Sequence, residues 1–323
     1  MKKLDIVVVG ELNVDLILTG LPSLPEMGQC RLSKDVQFTL GSASAIFASN
    51  IANLGLNVGF VGKMGDDDFG KFILKSLKNR NIDTSRIIRD KKAKTGICVS
   101  MSFPENYAMA SYAGVREAFT LTDVDMDYVL NAGHLHMSSY YLQPGMQDDC
   151  AELFRRAKEA GLTTSLDPGG DPSGKWDDSI FNVLKYVDIF LPNEKEALHI
   201  SKCESIDSAL YLFNKTVQTI VIKTGASGVW VKNAQKTIHA NAFKIDVVDT
   251  TGAGDSFNSG FIYQFYQGSA IDECINWGNA CAAISTTGPG GTTAFPNIQE
   301  VEQFLRERKT EITNIEDNIY DGD

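Results

Sequence analysis

Short β-branched runs alternate along the chain with longer stretches of helical spacing. Ile6-Val7-Val8-Val9 reads as a buried strand that Gly10 ends. Ala45, Ile46, Ala48, Ile51, Ala52 and Leu54 follow helical spacing, and Gly55 is the stop signal. Val58-Gly59-Phe60-Val61 is again a strand, and a helix follows from Phe69 to Asn79. Later strands are predicted over 162–167, 187–191 and 219–223, with helices over 146–160 and 194–200 between them. This alternation predicts a mostly parallel sheet covered on both faces.

Two segments break the rhythm. Lys94 to Phe103 alternates, with Ile97, Val99, Met101 and Phe103 on one side. Pro104-Glu105-Asn106 is a turn signal, and Tyr107 to Tyr112 runs on as a partner strand. Asp15 to Phe38 also reads as extended. Together these predict a small antiparallel sheet projecting from the main domain, built from about 15–38 and 94–113. The chain after Arg308 is polar and acidic, which predicts a frayed tail over 311–323 beyond a domain of 1–310.

Composition narrows the function classes. The chain has 323 residues with a formal net charge of −11, so it is long enough to bury a core without staples. The acidic balance argues against broad nucleic-acid binding. No apolar run reaches the roughly 18 residues of a membrane span. Asp5, Glu11 and Asp15 interrupt the first apolar stretch, so it is a strand rather than a signal peptide. Six cysteines without a C-x-x-C pair predict reduced thiols and a cytoplasmic location. His134 and His136 alternate on one strand face and read as a core or cleft-edge pair rather than metal ligands.

The most informative segment is Asp249-Thr250-Thr251-Gly252-Ala253-Gly254-Asp255-Ser256-Phe257. Phe243 to Val248 before it reads as a strand. Phe257, Phe261 and Phe265 recur four residues apart after it, so a helix begins near Gly252. Glycines there let successive N–H groups turn inward at a helix N-terminus, which suits a phosphate or a developing anion. Asp255 in the first turn could accept a proton from an attacking hydroxyl. A plain tight turn capped by Asp255 explains the same residues equally well on motif mechanics alone. No G-x-x-x-x-G-K-[ST] and no G-x-G-x-x-G after the first strand is present, which argues against a P-loop enzyme and a Rossmann dehydrogenase.

The segment Asp249 to Asp255 resembles the signature of the ribokinase-like (PfkB) carbohydrate kinases. Further blocks agree with that family in order: Gly10-Glu11-Leu12-Asn13-Val14-Asp15, the loop at Gly41, Gly62 to Gly70, Thr95-Gly96, Asn193-Glu194-Lys195-Glu196, Lys223-Thr224-Gly225-Ala226-Ser227-Gly228, and Asn279 on a late helix. The resemblance covers about residues 4 to 306. It implies a ribokinase-like three-layer α/β/α sandwich with a mostly parallel central sheet and a small antiparallel β lid. It implies ATP-dependent phosphorylation of a hydroxyl, typically a hydroxymethyl, on a sugar or sugar derivative.

The resemblance also implies roles. Asp255 would be the general base, and the amides of Gly252, Ala253 and Gly254 the anion hole. Asn13, Asp15, Gly41, Ser42, Ser44 and Ser139 would bind the acceptor. Asn193, Lys223, Thr224, Gly225, Gly228 and Asn279 would bind the nucleotide. Glu196 would orient Mg2+ through water, although Asn193 and Glu196 alone would read as a helix cap. Asp249, Thr251 and Gly288 would neighbour a monovalent cation such as K+. A homodimer through the lid is an arrangement the resemblance allows.

The chain also departs from the family pattern. Gly41-Ser42-Ala43-Ser44-Ala45-Ile46 keeps only the first glycine of the usual G-G-x-G-x-N loop, and Ile46 stands where a hydroxyl-binding asparagine is common. That predicts a more apolar acceptor pocket and points away from an ordinary ribose assignment. The family's D-P-N-x-R-like segment becomes Asp167-Pro168-Gly169-Gly170. A nucleoside kinase of the same superfamily is the near alternative. A non-catalytic nucleotide- or sugar-binding module is another, and the intact Asp255 motif argues against it.

Overall fold

The structure is a computed structural model and describes residues 4–103, 107–233, 236–308 and 312–315. In chain order the strands are β1 (Leu4–Val9), β2 (Asn13–Thr19), β3 (Asp35–Leu40), β4 (Val58–Gly65), β5 (Asp83–Asp90), β6 (Gly96–Ser102) and β7 (Tyr107–Tyr112). They continue as β8 (Ala132–Met137), β9 (Thr163–Leu166), β10 (Ile189–Phe190), β11 (Thr219–Lys223), β12 (Val229–Asn233), β13 (Lys236–Ala240) and β14 (Ile312–Ile315). The large sheet runs β14-β13-β12-β11-β10-β9-β8-β1-β4-β5. Its pairings from β5 through β11 are parallel, and those from β11 to β14 are antiparallel.

β1 shows why the centre of the sheet reads as an unbroken apolar run. Ile6 and Val8 pack on one side with Phe60, Phe257 and Phe261, while Val7 and Val9 pack on the other with Leu153 and Phe154. A parallel strand between two helical layers has no solvent face, so alternation disappears. Each such side chain contributes about 1.5–3 kcal/mol on burial. The helices Ala43–Asn53, Ala253–Tyr266 and Ile271–Ser285 pack together on the first of these faces. The helix Asp68–Lys78 starts where the Asp67 carboxylate accepts from the Gly70 amide at 2.9 Å, and it buries Ile73 and Leu77.

The second sheet, order β3-β2-β6-β7, is the lid. Its outer pairings are antiparallel, and its central β2–β6 pairing is parallel. The turn expected at 104–106 lies outside the described residues.

His134 and His136 are buried on β8 and bonded to neighbouring hydroxyls. His134 meets Thr163 and Ser165 at 2.7 Å each, and His136 meets Ser165 at 2.7 Å and Ser138 at 2.8 Å. Burial pushes His134 down to about 3, so it is neutral. Among the described residues no cluster of three metal-ligating side chains occurs, and no helix is long and apolar enough to cross a membrane.

Two expected elements differ. Phe243 to Val248 forms no strand. Its apolar residues are used sideways: Phe243 meets Phe304 edge to face with ring centroids 4.9 Å apart, and Ile245 joins the same cluster. The sheet edge beside β13 is taken instead by β14, from the segment expected to be a frayed tail. Ile312 to Ile315 gains ladder hydrogen bonds there, and polar composition does not prevent an edge strand from pairing. Residues 316–323 lie outside the described residues.

Candidate active site

Asp255 stands in the first turn of the helix Ala253–Tyr266. Gly252 caps that helix at φ 72°, and no side chain caps its amides. A Cβ on Gly252 would lie 2.5 Å from the Gly291 Cα, so both conformation and space demand glycine. The Ala253 amide is already committed to the Thr250 carbonyl at 3.1 Å. That leaves the Gly252 and Gly254 amides as the better donors to an incoming anion. The Asp255 carboxylate makes no hydrogen bond with a described residue, and the backbone carbonyl alone is used, by Ser259 Oγ at 2.7 Å. Burial pushes this carboxyl well above its ordinary range; Asp167, Glu11 and Glu196 add to the effect, and Lys223 opposes it.

Asp249 holds this turn in place. Its carboxylate accepts from the Thr251 amide at 3.0 Å, the Thr251 hydroxyl at 2.8 Å and the Gly290 amide at 2.8 Å. Gly288 sits in the neighbouring loop, its Cα facing Ala294.

The acceptor candidates form one network. Asn13 donates to Asp15 at 2.9 Å. Gly41 packs so closely on this pair that a Cβ there would lie 2.1 Å from Asp15 Oδ1 and 2.4 Å from Asn13 Nδ2. Ser42, Ser44 and Ser139 gather around Glu11, which lies in the first motif but was given no role by the sequence. Ser44 Oγ donates to the Glu11 carboxylate at 2.5 Å, and Ser42 Oγ lies 3.2 Å from it and 2.6 Å from the Glu11 carbonyl. Ser139 lies close enough to Glu11 to favour its charged form. Ser42 and Ser139 both adopt left-handed φ, 71° and 58°, which is unusual for serine and marks a loop held under strain by this network.

Ile46 packs against the turn that precedes Asp255. It is 3 % exposed, and a Cβ on Gly291 would lie 2.8 Å from its Cδ1 and one on Gly252 3.4 Å.

A second network lies within electrostatic reach of Asp255. Lys223, at the end of β11, donates to Asp167 at 2.7 Å and to Asn258 at 3.1 Å, and Asn258 donates to Asp167 at 2.7 Å. The Lys223 ammonium is 3.6 Å from where a Gly254 Cβ would stand, beside the helix start. The sequence marks Asp167 only as the start of a family-like segment and gives Asn258 no role, its one signal being that it follows Asp255 by three residues on the same helix. Asn193 and Glu196 form a reciprocal cap. Glu196 accepts from the Asn193 amide at 2.9 Å and side chain at 2.7 Å, and Asn193 Oδ1 accepts from the Glu196 amide at 2.9 Å. Asn193 also bridges to Lys223. Burial, then Asp167, lifts Glu196 to about 7.

Thr224, Gly225 and Gly228 make the turn after β11, with the Thr224 amide and hydroxyl both donating to the Gly228 carbonyl at 2.9 Å. Asn279 donates to the Asn241 carbonyl at 3.2 Å, just past β13.

Asp15 yields a stability test. Burial lifts its carboxyl to about 6, Asn13 opposes, and Asp249 and Glu11 add to the rise. A carboxyl with a raised folded pKa contributes stability that is complete below the unfolded value and lost as pH rises through the folded one. The window therefore runs from 3.8 to about 6. Asp15→Asn should stabilise the protein by about 1 kcal/mol near pH 7.5, after discounting for solvent screening, and change it little near pH 4. Melting curves at both pH values decide this, since an equal shift at both would trace to packing instead.

A family model described as pfkB family carbohydrate kinase matches residues 3–299. Ribokinase of Haemophilus influenzae is 29% identical over 307 residues, covering 92% of this chain and 97% of that one. The 2-dehydro-3-deoxygluconokinase of Bacillus subtilis is 29% identical over 285 residues, covering 84% and 88%. A ribokinase of Arabidopsis thaliana solved with ribose and ATP is 25% identical, with a TM-score of 0.82 over 94% of this chain and 99% of that one. The signature around Asp255, the sheet order with its lid, and a family match over nearly the whole length agree: the chain belongs to the pfkB family of carbohydrate kinases.

Proposed function

We propose that the protein transfers the γ-phosphate of ATP to a hydroxyl, most simply a hydroxymethyl, of a sugar or sugar derivative, with Asp255 as general base. The observation that carries this is the Asp255 carboxylate, without a hydrogen bond to a described residue, at a helix N-terminus that no side chain caps and within electrostatic reach of Glu11, Asp167 and Lys223. Asp255 takes the acceptor proton as the oxygen attacks phosphorus. The Gly252 and Gly254 amides, and the positive helix end, steady the charge spreading over the phosphoryl oxygens. Asp15 and Asn13 orient the acceptor hydroxyls, and the lid excludes water that would otherwise hydrolyse ATP.

The turn of Thr224, Gly225 and Gly228, with Asn193 and Asn279, holds the nucleotide. Asp167, Glu196 and Asp255 face a single lysine, and this excess of negative charge fits a divalent cation held mainly by ATP phosphates. Mg2+, when bound, neutralises β- and γ-phosphate charge. Asp249, Thr251 and Gly288 remain the proposed neighbourhood of a K+ ion. A cytoplasmic location accords with six unpaired cysteines, and the lid is the proposed dimer surface.

ADP release across a panel of sugars, sugar derivatives and nucleosides tests the reading. With the best acceptor, Asp15→Ala should cost about 1.5–3 kcal/mol in kcat/KM, through acceptor KM, and leave ATP KM nearly unchanged. Weakened ATP with an unaffected acceptor would reverse the two halves of the site.

A further inference from the structure

Glu11 lies between β1 and β2 and is 2 % exposed. Acidic side chains are seldom buried this fully unless their oxygens are held. The partners of this carboxyl come from one loop: Ser44 Oγ at 2.5 Å, the Ser44 amide at 3.4 Å and Ser42 Oγ at 3.2 Å. Ser42 and Ser44 stand at the two places where that loop has lost the glycines of the family pattern. None of the steps assigned above uses Glu11.

Both hydroxyls are committed to Glu11. A hydroxyl carries one proton. That of Ser42 goes to the Glu11 carbonyl at 2.6 Å, beside the carboxylate, and that of Ser44 goes to the carboxylate itself. Neither serine has a proton left for an acceptor hydroxyl. The Ser42 oxygen also accepts from the Ala45 amide at 3.0 Å, which starts the helix Ala43–Asn53. Ser42 holds φ 71° and ψ 121°, a conformation open to glycine and rare for serine. The residue before it, Gly41, is the one that packs on the acceptor pair. Its amide donates to the Asn13 carbonyl at 3.2 Å, and it has no space for a Cβ beside Asp15 Oδ1 and Asn13 Nδ2. The Ser42 torsion therefore sets how Gly41 meets Asn13 and Asp15.

We propose that Glu11 is a positioning residue for the acceptor: it holds Ser42 in the left-handed conformation and so keeps Gly41 seated on Asn13 and Asp15. This rests on the kinase reading above and deepens it, because Asn13 and Asp15 are the residues assigned there to the acceptor hydroxyls. Without the carboxylate, Ser42 relaxes toward negative φ, where serine is ordinarily found. That rotation swings the Gly41–Ser42 peptide, and Gly41 lifts from Asp15. Asn13 and Asp15 must then be ordered as the acceptor binds rather than in advance, which weakens the acceptor and spares the nucleotide. Ser42→Gly removes the need for such support, since glycine reaches positive φ without strain and still serves as a helix N-cap.

A double-mutant cycle between Glu11→Ala and Ser42→Gly tests this with two readouts. The first is the KM of the acceptor that turns over best, beside the KM of ATP. The second is hydrogen exchange at the Gly41 amide in the protein without ligands, which reports the Gly41–Asn13 contact whether or not any sugar is phosphorylated. Glu11→Ala should raise acceptor KM about tenfold or more, keep ATP KM within about twofold, and speed Gly41 exchange about tenfold or more. In the Ser42→Gly background the same change should raise acceptor KM and exchange by no more than about threefold. Glu11→Gln keeps the shape and one acceptor oxygen, so its effects should be smaller and in the same direction; it carries the cycle if Glu11→Ala does not fold. Equal effects in both backgrounds would overturn the proposal, as would unchanged Gly41 exchange or an ATP KM that rises as much as the acceptor KM. Faster exchange with an unchanged acceptor KM would also overturn it and leave the kinase reading standing. If exchange follows the cycle but no acceptor yields ADP, the kinase reading fails while the hold of Glu11 on the loop stands.

Discussion

Asp255→Asn should lower kcat about 10²–10⁴-fold, the range for lost acid–base assistance, while ATP binding stays close to wild type. The substitution keeps shape and removes only the proton acceptor. The side chain makes no hydrogen bond to a described residue, so no network collapses with it. The raised pKa of Asp255 adds a pH signature. Its ionisation should set an acidic limb in the rate profile of the wild-type protein, with kcat rising as pH rises. That limb should vanish in Asp255→Asn. Near wild-type turnover in this variant would remove Asp255 from the role of base.

Gly252→Ala should have the next largest effect, on both activity and stability. At φ 72° an alanine is strained by about 1–2 kcal/mol, and its Cβ would stand 2.5 Å from the Gly291 backbone. The Ile46 Cδ1 would be 3.4 Å from that Cβ, in ordinary contact, so the clash is with the Gly291 backbone. The Gly252 and Gly254 amides would then lose their aim. We expect kcat to fall about 10²–10³-fold, as when a preorganised donor to a developing anion is lost, together with a lower Tm. Gly254→Ala is the control. Its Cβ would meet nothing closer than the Lys223 ammonium at 3.6 Å, an ordinary contact. It should fold normally, and kcat should fall less than about tenfold. Equal damage from the two variants would contradict the geometry assigned to Gly252.

The fold was readable to the extent that burial writes a local period into the chain. Ile6 to Val9 is apolar throughout because both faces are covered, and Phe257 and Phe261 mark the helix that carries Asp255. The Asp255 turn was readable for the same reason: its glycines, its acid and its helix start are contiguous. Phe243 to Val248 misled because apolar residues that pack under Phe304 look the same as those that enter a ladder. β14 escaped notice because an edge strand needs little apolar character, only an open edge to join.

Chain folding alone brings the remaining site residues together. Glu11 meets Ser42 and Ser44 across 31 and 33 residues, and Asp167 meets Lys223 and Asn258 across 56 and 91. Such contacts depend on which strands become neighbours in the sheet, and no local period encodes that choice. Ile46 makes the same point. Its residue type shows only that it is apolar, and it is the close approach of Gly252 to Gly291 that brings it against the turn before Asp255.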